Sequence, residues 1–237
     1  MTTNTAHVQR TIEQKALKNG LTLWYREPSS DLSVYSENEY YKQFTPSKDD
    51  VIMDIGANIG DMPLKWGLHA KEIHCYEPMP DTFEILKMNV ENNNLTNCKI
   101  HEVAIGHGNE VIQLWINLHK KGSHSVASTF KKGRKDCFNV NKIDFAEEIK
   151  RVRPTVLKID IEGGEKEIID NADDSLFESC NVFFLEIHPN KLKDGEQWMA
   201  DVVARFTNLF GECKDLGQII HFYAITGSTW MFIRNKS

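Results

Sequence analysis

Along this chain, short apolar runs of strand length alternate with stretches of helical period, and that alternation predicts the architecture. Val51 to Ile55 is one such run. Gly56 and Gly60 break it, and Asp61 suits the cap of a helix from Met62 to Ala70, with Pro63 in the first turn where its missing N–H costs little. Glu72 to Glu77 reads as the next strand. Asp81 to Asn93 reads as a helix with Phe83, Leu86 and Val90 on one face. Cys98 to Ala104 and Val111 to Leu118 read as strands, Asp144 to Arg151 as a helix and Thr155 to Ile161 as a buried strand. Gly164 to Asp170 opens a further helix, Val182 to Ile187 is a strand, and Glu196 to Phe210 is a long amphipathic helix. Gln218 to Ala224 and Thr229 to Arg234, split by Thr226-Gly227-Ser228, read as a closing hairpin. Near the start, Leu21 to Arg26 is strand-like, and Asn19-Gly20 suits a type I′ turn joining it to Thr11 to Lys18, whose composition fits strand or helix. Ser36 to Phe44 reads as a short helix. Strands alternating with helices imply a mainly parallel sheet covered on both faces, an α/β Rossmann-like architecture closed by an antiparallel hairpin. The expected organisation is a single domain over 1–237, with 1–45 as an N-terminal extension or cap and 46–237 as the core.

Candidate chemistry gathers first at the glycine turn. Asp54-Ile-Gly-Ala-Asn-Ile-Gly60 lacks the G-x-G-x-x-G spacing that seats a pyrophosphate on a helix N-terminus. It carries instead an acid, Asp54, two residues before the first glycine. A carboxylate there repels a pyrophosphate and attracts a cation. Glu77-Pro78 ends the next strand, about 20 residues on, where an acid chelates a ribose diol. One cation near the turn and one ribose at Glu77 describe S-adenosylmethionine. Asp54, Gly56, Asn58 and Gly60 are then expected at the methionine end, Glu77 at the ribose, and Glu102, just before Val103-Ala104, at the adenine.

A second constellation is Leu157-Lys158-Ile159-Asp160-Ile161-Glu162-Gly163-Gly164-Glu165. Asp160 ends a buried strand, on the ligand side of an open α/β sheet, and a carboxylate there needs a partner. Lys158, two residues earlier on the same strand face, is that partner or a catalytic group. Glu165 and Glu167 read as acids favoured by a helix N-terminus. Glu186 and His188 end the following strand two apart, so Asp160, Glu186 and His188 are expected to converge. Such a set either binds a divalent ion, Mg²⁺ or Mn²⁺, that acidifies a hydroxyl, or presents His188 as a general base.

These segments, with Glu77-Pro78 and Ala104-Ile105-Gly106, resemble the FkbM-type methyltransferases. Ser30-Asp31 and Leu185-Glu186-Ile187-His188 match as well, and the resemblance runs from about Leu23 to Pro189. Lys158-Ile-Asp-Ile-Glu-Gly-Gly-Glu165 is its specific part, since the first glycine turn is common to many methyltransferases. The resemblance implies an S-adenosylmethionine-dependent enzyme that O-methylates a hydroxyl of a small molecule, often a sugar, on a seven-stranded Rossmann-like sheet.

Composition narrows the partners. The net charge of −6 disfavours nucleic acid. No apolar run approaches membrane-spanning length, and the first residues show no signal-peptide core. The five cysteines are scattered without a C-x-x-C, which argues for reduced thiols and a cytoplasmic location. His119 to Asp136 carries Lys120, Lys121, Lys131, Lys132, Arg134 and Lys135, either a solvated loop or a lid that attracts an anionic acceptor such as a sugar nucleotide. An NAD-type oxidoreductase is disfavoured by Asp54 and by the glycine spacing. An N-methyltransferase of nucleic acid or protein is disfavoured because no Asp/Asn-Pro-Pro-aromatic segment exists. A methyltransferase of a non-sugar small molecule and a cofactor-binding module without catalysis remain as alternatives.

Overall fold

The computed structural model describes residues 10–116, 124–126, 137–189, 192–221 and 224–235. It opens with a hairpin of Thr11–Ala16 (β1) and Thr22–Glu27 (β2). Within its turn only Gly20 has a positive φ (87°), and Leu17 and Leu21 close the loop by a backbone bond of 2.8 Å. The connection is therefore a three-residue loop with a left-handed glycine, not the type I′ turn, which needs two such residues. The helix expected over Ser36 to Phe44 starts earlier, as Asp31–Glu37 (α1), and tightens into a 3-10 segment, Asn38–Gln43.

The chain then alternates as the apolar runs require: Val51–Ile55 (β3), Asp61–Trp66 (α2), Glu72–Tyr76 (β4), Pro80–Glu91 (α3) and Cys98–His101 (β5). Ala104–Gly106 (β6), Glu110–Ile116 (β7), His124–Val126 (β8) and Cys137–Asp144 (β9) follow. Phe145–Val152 (α4), Val156–Ile159 (β10), Glu165–Asp170 (α5), Val182–Ile187 (β11), Gly195–Phe210 (α6), Gly211–His221 (β12) and Ala224–Arg234 (β13) complete it. Seven strands form one sheet in the order β12-β13-β11-β10-β3-β4-β5. The run from β11 to β5 is parallel, and β13 is antiparallel to both its neighbours.

Several elements differ from expectation for identifiable reasons. Gly60 (φ 99°), not Asp61, takes the cap position of α2, and the helix stops at Trp66 because Gly67 caps it. The strand expected over Cys98 to Ala104 is two strands in two sheets. β5 ends where the His101 carbonyl accepts the Glu77 N–H (3.1 Å), and β6 leaves to join a small sheet, β6-β9-β7-β8. β9 escaped the sequence reading because a lysine, Lys142, occupies one of its buried positions. It is held there by Glu110 and Glu167, each at 2.7 Å. Thr226-Gly227-Ser228 lies inside β13, with Gly227 opposite Ile219 and Ser228 opposite Gln218, so the final turn comes earlier, after His221. The basic loop lies outside the described residues, apart from β8.

Side-chain parity divides the central sheet into two cores. Met53, Ile55, Leu157, Ile159, Phe183, Leu185 and Ile187 face α4, α5 and α6, with a string of phenylalanines, Phe177, Phe183, Phe206, Phe210 and Phe232, in ring contact. Ile52, Val156 and Phe184 face the other way, toward α2 and the N-terminal segment. There Tyr41 and Phe44 meet Trp66 and Phe184 edge-on at 5.2–5.8 Å, contacts worth about 0.5–1.5 kcal/mol each beyond area burial.

The hairpin is fastened by side chains that imitate a strand. Asn89 of α3 accepts the Trp24 N–H (2.7 Å) and donates to the Trp24 carbonyl (2.9 Å), and Asn93, one turn later, does the same for Thr22 (2.7 Å each way). The edge of β2 is thereby satisfied by a helix. Beside it, Arg26 and Asp31 form a buried pair through two guanidinium bonds of 2.8 and 2.9 Å. Among the described residues no helix is long and apolar enough to cross a membrane, and all five cysteines are free thiols.

Candidate active site

β3 leads on to β4 on one side of the sheet and β10 to β11 on the other, so the chain switches direction between β3 and β10. In open α/β sheets the ligand crevice forms at the carboxyl ends beside such a switch point. In the parallel register Asp54 is level with Lys158 and Lys158 with Phe184. Asp160, Glu186 and His188 therefore continue the same face as Asp54 and Lys158, beyond the aromatic contact at Phe184. The edge of an apolar face thus becomes a polar stripe.

At the end of β3, Gly56 (φ 83°) carries the chain directly over β10. An added Cβ would lie 1.8 Å from the Asp160 carbonyl oxygen, so no larger residue fits. Both the Gly56 and Ala57 N–H groups donate to the Tyr76 carbonyl at 3.0 Å. Asn58 follows in the left-handed region (φ 50°), and its N–H donates to Glu77 Oε2 at 3.1 Å. Glu77 Oε1 accepts from the Met79 N–H at 2.9 Å. Burial pushes the Glu77 carboxyl up to about 7, against those two N–H groups and the charges of Lys158 and Arg26. Asp54 is fully buried, and its Oδ2 has no hydrogen-bond partner among the described residues. Burial raises its pKa against the pull of Lys158, whose ammonium stands 3.3 Å from Oδ1.

Lys158 joins the two halves of the site. It donates to the Gly56 carbonyl at 2.7 Å and lies 3.5 Å from Asp160 Oδ2. Burial opposes its charge, but the carboxylates of Asp54, Asp160, Asp61 and Glu186 outweigh it and raise its pKa, so it is an ammonium at neutral pH. Asp160 is pushed up to about 8, by burial first and by Glu186 next. His188 Nε2 lies 3.2 Å from Glu186 Oε1, and Nδ1 lies 2.9 Å from Glu165 Oε1. Burial works against an imidazolium there, yet Glu165 and Glu186 hold the ring well above the ordinary histidine range.

The site thus brings together the sequence candidates except Gly60, which caps α2 against Leu86 and Asn89, and Glu102. Glu102 follows β5 and is exposed. Two acids matter more than their positions suggested. Glu165 is fully buried and accepts from the Gly163 N–H (2.9 Å) and the Ile161 N–H (3.3 Å) as well as meeting His188, so its role exceeds that of a helix-end acid. Glu162 (φ 60°) places Oε2 3.7 Å from His188 Nε2. The sequence signal for both was the glycine pair between them, which allows the loop to fold back. Glu167 also has a specific partner, the buried Lys142 described above.

Comparison with known proteins identifies the family and the fold. Hexuronic acid methyltransferase AglP of Haloferax volcanii is 26% identical over 141 residues, 60% of this chain and 57% of that protein. An uncharacterized RNA methyltransferase of Oceanobacillus iheyensis is 29% identical over 107 residues, 45% of this chain and 21% of that one. The matched part is thus under two thirds of either relative's length. Among solved structures, TYW2 of M. jannaschii in complex with AdoMet aligns with a TM-score of 0.53 at 12% identity, over 95% of this chain and 87% of that one. That likeness shows the fold, a Rossmann-like methyltransferase sheet. The profile of the methyltransferase FkbM domain matches residues 54–220, from the buried acid of the glycine turn through both strands of the polar stripe to the last hairpin, and the chain belongs to that family.

Proposed function

We propose that the protein is an S-adenosylmethionine-dependent O-methyltransferase acting on a hydroxyl of a sugar or sugar-containing metabolite. The observation that carries this reading is the set of carboxylates, Asp54, Asp61, Asp160 and Glu186, around one buried ammonium at the switch point. Burial raises Asp54 and Asp160, so a cationic ligand would draw these carboxyls into their ionised form, whereas a pyrophosphate would be opposed by them. The orphaned Asp54 Oδ2 and the half-ionised Glu77 are groups that a sulfonium cofactor with a ribose diol would satisfy. Asp54, Gly56, Asn58 and Gly60 hold its methionine end in this reading, Glu77 the ribose, and Glu102 the adenine side. Bound there, S-adenosylmethionine would supply a methyl group from its sulfonium, the S–C bond breaking with its electron pair left on sulfur as the O–C bond forms, and the hydroxyl proton would leave to solvent by way of the carboxylate cluster. Lys158, as an ammonium, has no lone pair with which to act as a base. It keeps the two acidic halves of the site together. His188 meets carboxylates at both ring nitrogens, which disfavours the free-base reading and leaves proton removal to the cluster it belongs to.

A sugar acceptor is supported by the hexuronic acid methyltransferase relative, and the net charge of −6 argues against an RNA acceptor. Calorimetric titration should show binding of S-adenosylmethionine and none of NAD. A panel of hexuronic acids, sugar nucleotides, non-sugar alcohols and tRNA should release S-adenosylhomocysteine with the sugars. Release with tRNA alone would overturn the acceptor, and binding of NAD alone would overturn the reaction class.

A further inference from the structure

We propose that Asp160, Glu186 and His188 form a divalent-cation site of the Mn²⁺ type, with Glu165 as the positioning residue that aims the imidazole. One ligand atom from each of the three lies within 4.8 Å of those of the other two, close enough to share one ion. The histidine is already oriented for the purpose. Its Nδ1 is fixed on Glu165 at 2.9 Å, and its Nε2 faces Glu186 at 3.2 Å and Glu162 at 3.7 Å. A carboxylate on one ring nitrogen with the other turned to oxygen ligands is the arrangement by which proteins hold a metal-binding histidine.

Glu165 is committed to that task. It is fully buried, and the Gly163 and Ile161 N–H groups hold it from the loop side. The loop is held in an unfavourable shape to allow this, with two left-handed residues in succession, Glu162 (φ 60°) and Gly163 (φ 113°). A non-glycine residue held there is strained, which suits a site that needs the Glu162 carboxylate beside His188. The ligands themselves sit at the ends of two adjacent parallel strands, β10 and β11, whose register fixes their spacing.

A proton on Nε2 faces Glu186 and Glu162 but not Asp160, whereas one dication would serve Asp160, Glu186 and the imidazole together. Two carboxylates and one imidazole form a mixed hard and borderline set, which suits Mn²⁺ better than the thiolate-preferring metals. An ion held by three protein ligands keeps positions open for oxygens of an acceptor, and a hydroxyl bound there is more acidic. This role in turnover rests on the proposed methyl transfer. The binding site itself does not.

The test uses the full chain, stripped with chelator, and Mn²⁺ alone, followed by loss of the free-ion electron paramagnetic resonance signal. One Mn²⁺ per chain is expected. Glu186→Gln and His188→Ala should abolish the binding, and Glu165→Gln, which leaves all three ligands in place, should weaken it by about 10- to 100-fold. Glu162→Gln, on a partly exposed side chain, serves as a fourth variant should the buried ones not fold. It should weaken binding measurably. S-adenosylmethionine titration of the same samples checks the fold and keeps the two proposals apart, since Mn²⁺ binding without cofactor binding would sink only the methyl-transfer reading. No Mn²⁺ binding at millimolar concentration in the wild type, or binding unchanged in folded variants, would overturn the site.

Discussion

The two ends of the polar stripe are built on different principles. At the glycine turn the main chain makes the site: Gly56 crosses within contact of Asp160, Asn58 donates its N–H to Glu77, and Asp54 Oδ2 keeps unmet capacity. At the ends of β10 and β11 side chains make it, with Lys158, Asp160, Glu186, His188 and Glu165 meeting one another from two strands and a loop. The close backbone crossing fails first on a change of volume, and the side-chain cluster fails first on a change of charge. In the proposed function that difference would also separate binding from chemistry, with the first end assigned to the cofactor and the second to the acceptor.

Asp160→Asn tests the contrast most severely. It preserves shape, so the fold and S-adenosylmethionine affinity should survive, while turnover should drop by ~10²- to 10⁴-fold in an S-adenosylhomocysteine release assay. Loss of cofactor binding with turnover per bound cofactor intact would reverse the division of labour. Gly56→Ala is the opposite probe. Its methyl would fall 1.8 Å from a backbone oxygen at a left-handed φ, so β3 and β10 must part. Denaturant unfolding should show a loss of about 3 kcal/mol or more. A variant within the error of wild type would mean that the close crossing is not needed.

Glu77→Ala should be gentler. It removes hydrogen bonds to a charged group, about 1.5–3 kcal/mol, or on the order of 10- to 100-fold in cofactor dissociation constant by calorimetry. Unchanged affinity would remove Glu77 from the ribose. The smallest expected effect is one of pH. Glu77 binds its proton more tightly folded than unfolded, about 7 against 4.5, so ionising it across that window costs the cofactor-free fold stability. A ribose diol donates to the ionised form, so affinity should strengthen as pH rises through 7 and be about tenfold weaker at pH 6 than at pH 8. A flat profile would argue that Arg26 and Lys158 keep Glu77 ionised throughout.

The sequence by itself determined the central sheet and where along the chain the candidate site residues lie. Val51–Ile55 and Val182–Ile187 are apolar runs bounded by polar residues or glycine, and burial on both faces leaves such segments no alternative to a central strand. The glycine turn and Glu77 were legible because the features that matter, a left-handed glycine and an acid at a strand end, are local. Tertiary structure alone decided the rest. β9 depends on a lysine buried between acids of two other elements. The split of Cys98 to Ala104 depends on which sheet each half joins. The roles of Glu165 and Glu162 depend on a ring more than 20 residues away in the chain. Local backbone preference writes itself into neighbouring residues, whereas pairing of charges across strands costs and returns free energy only once the strands are side by side.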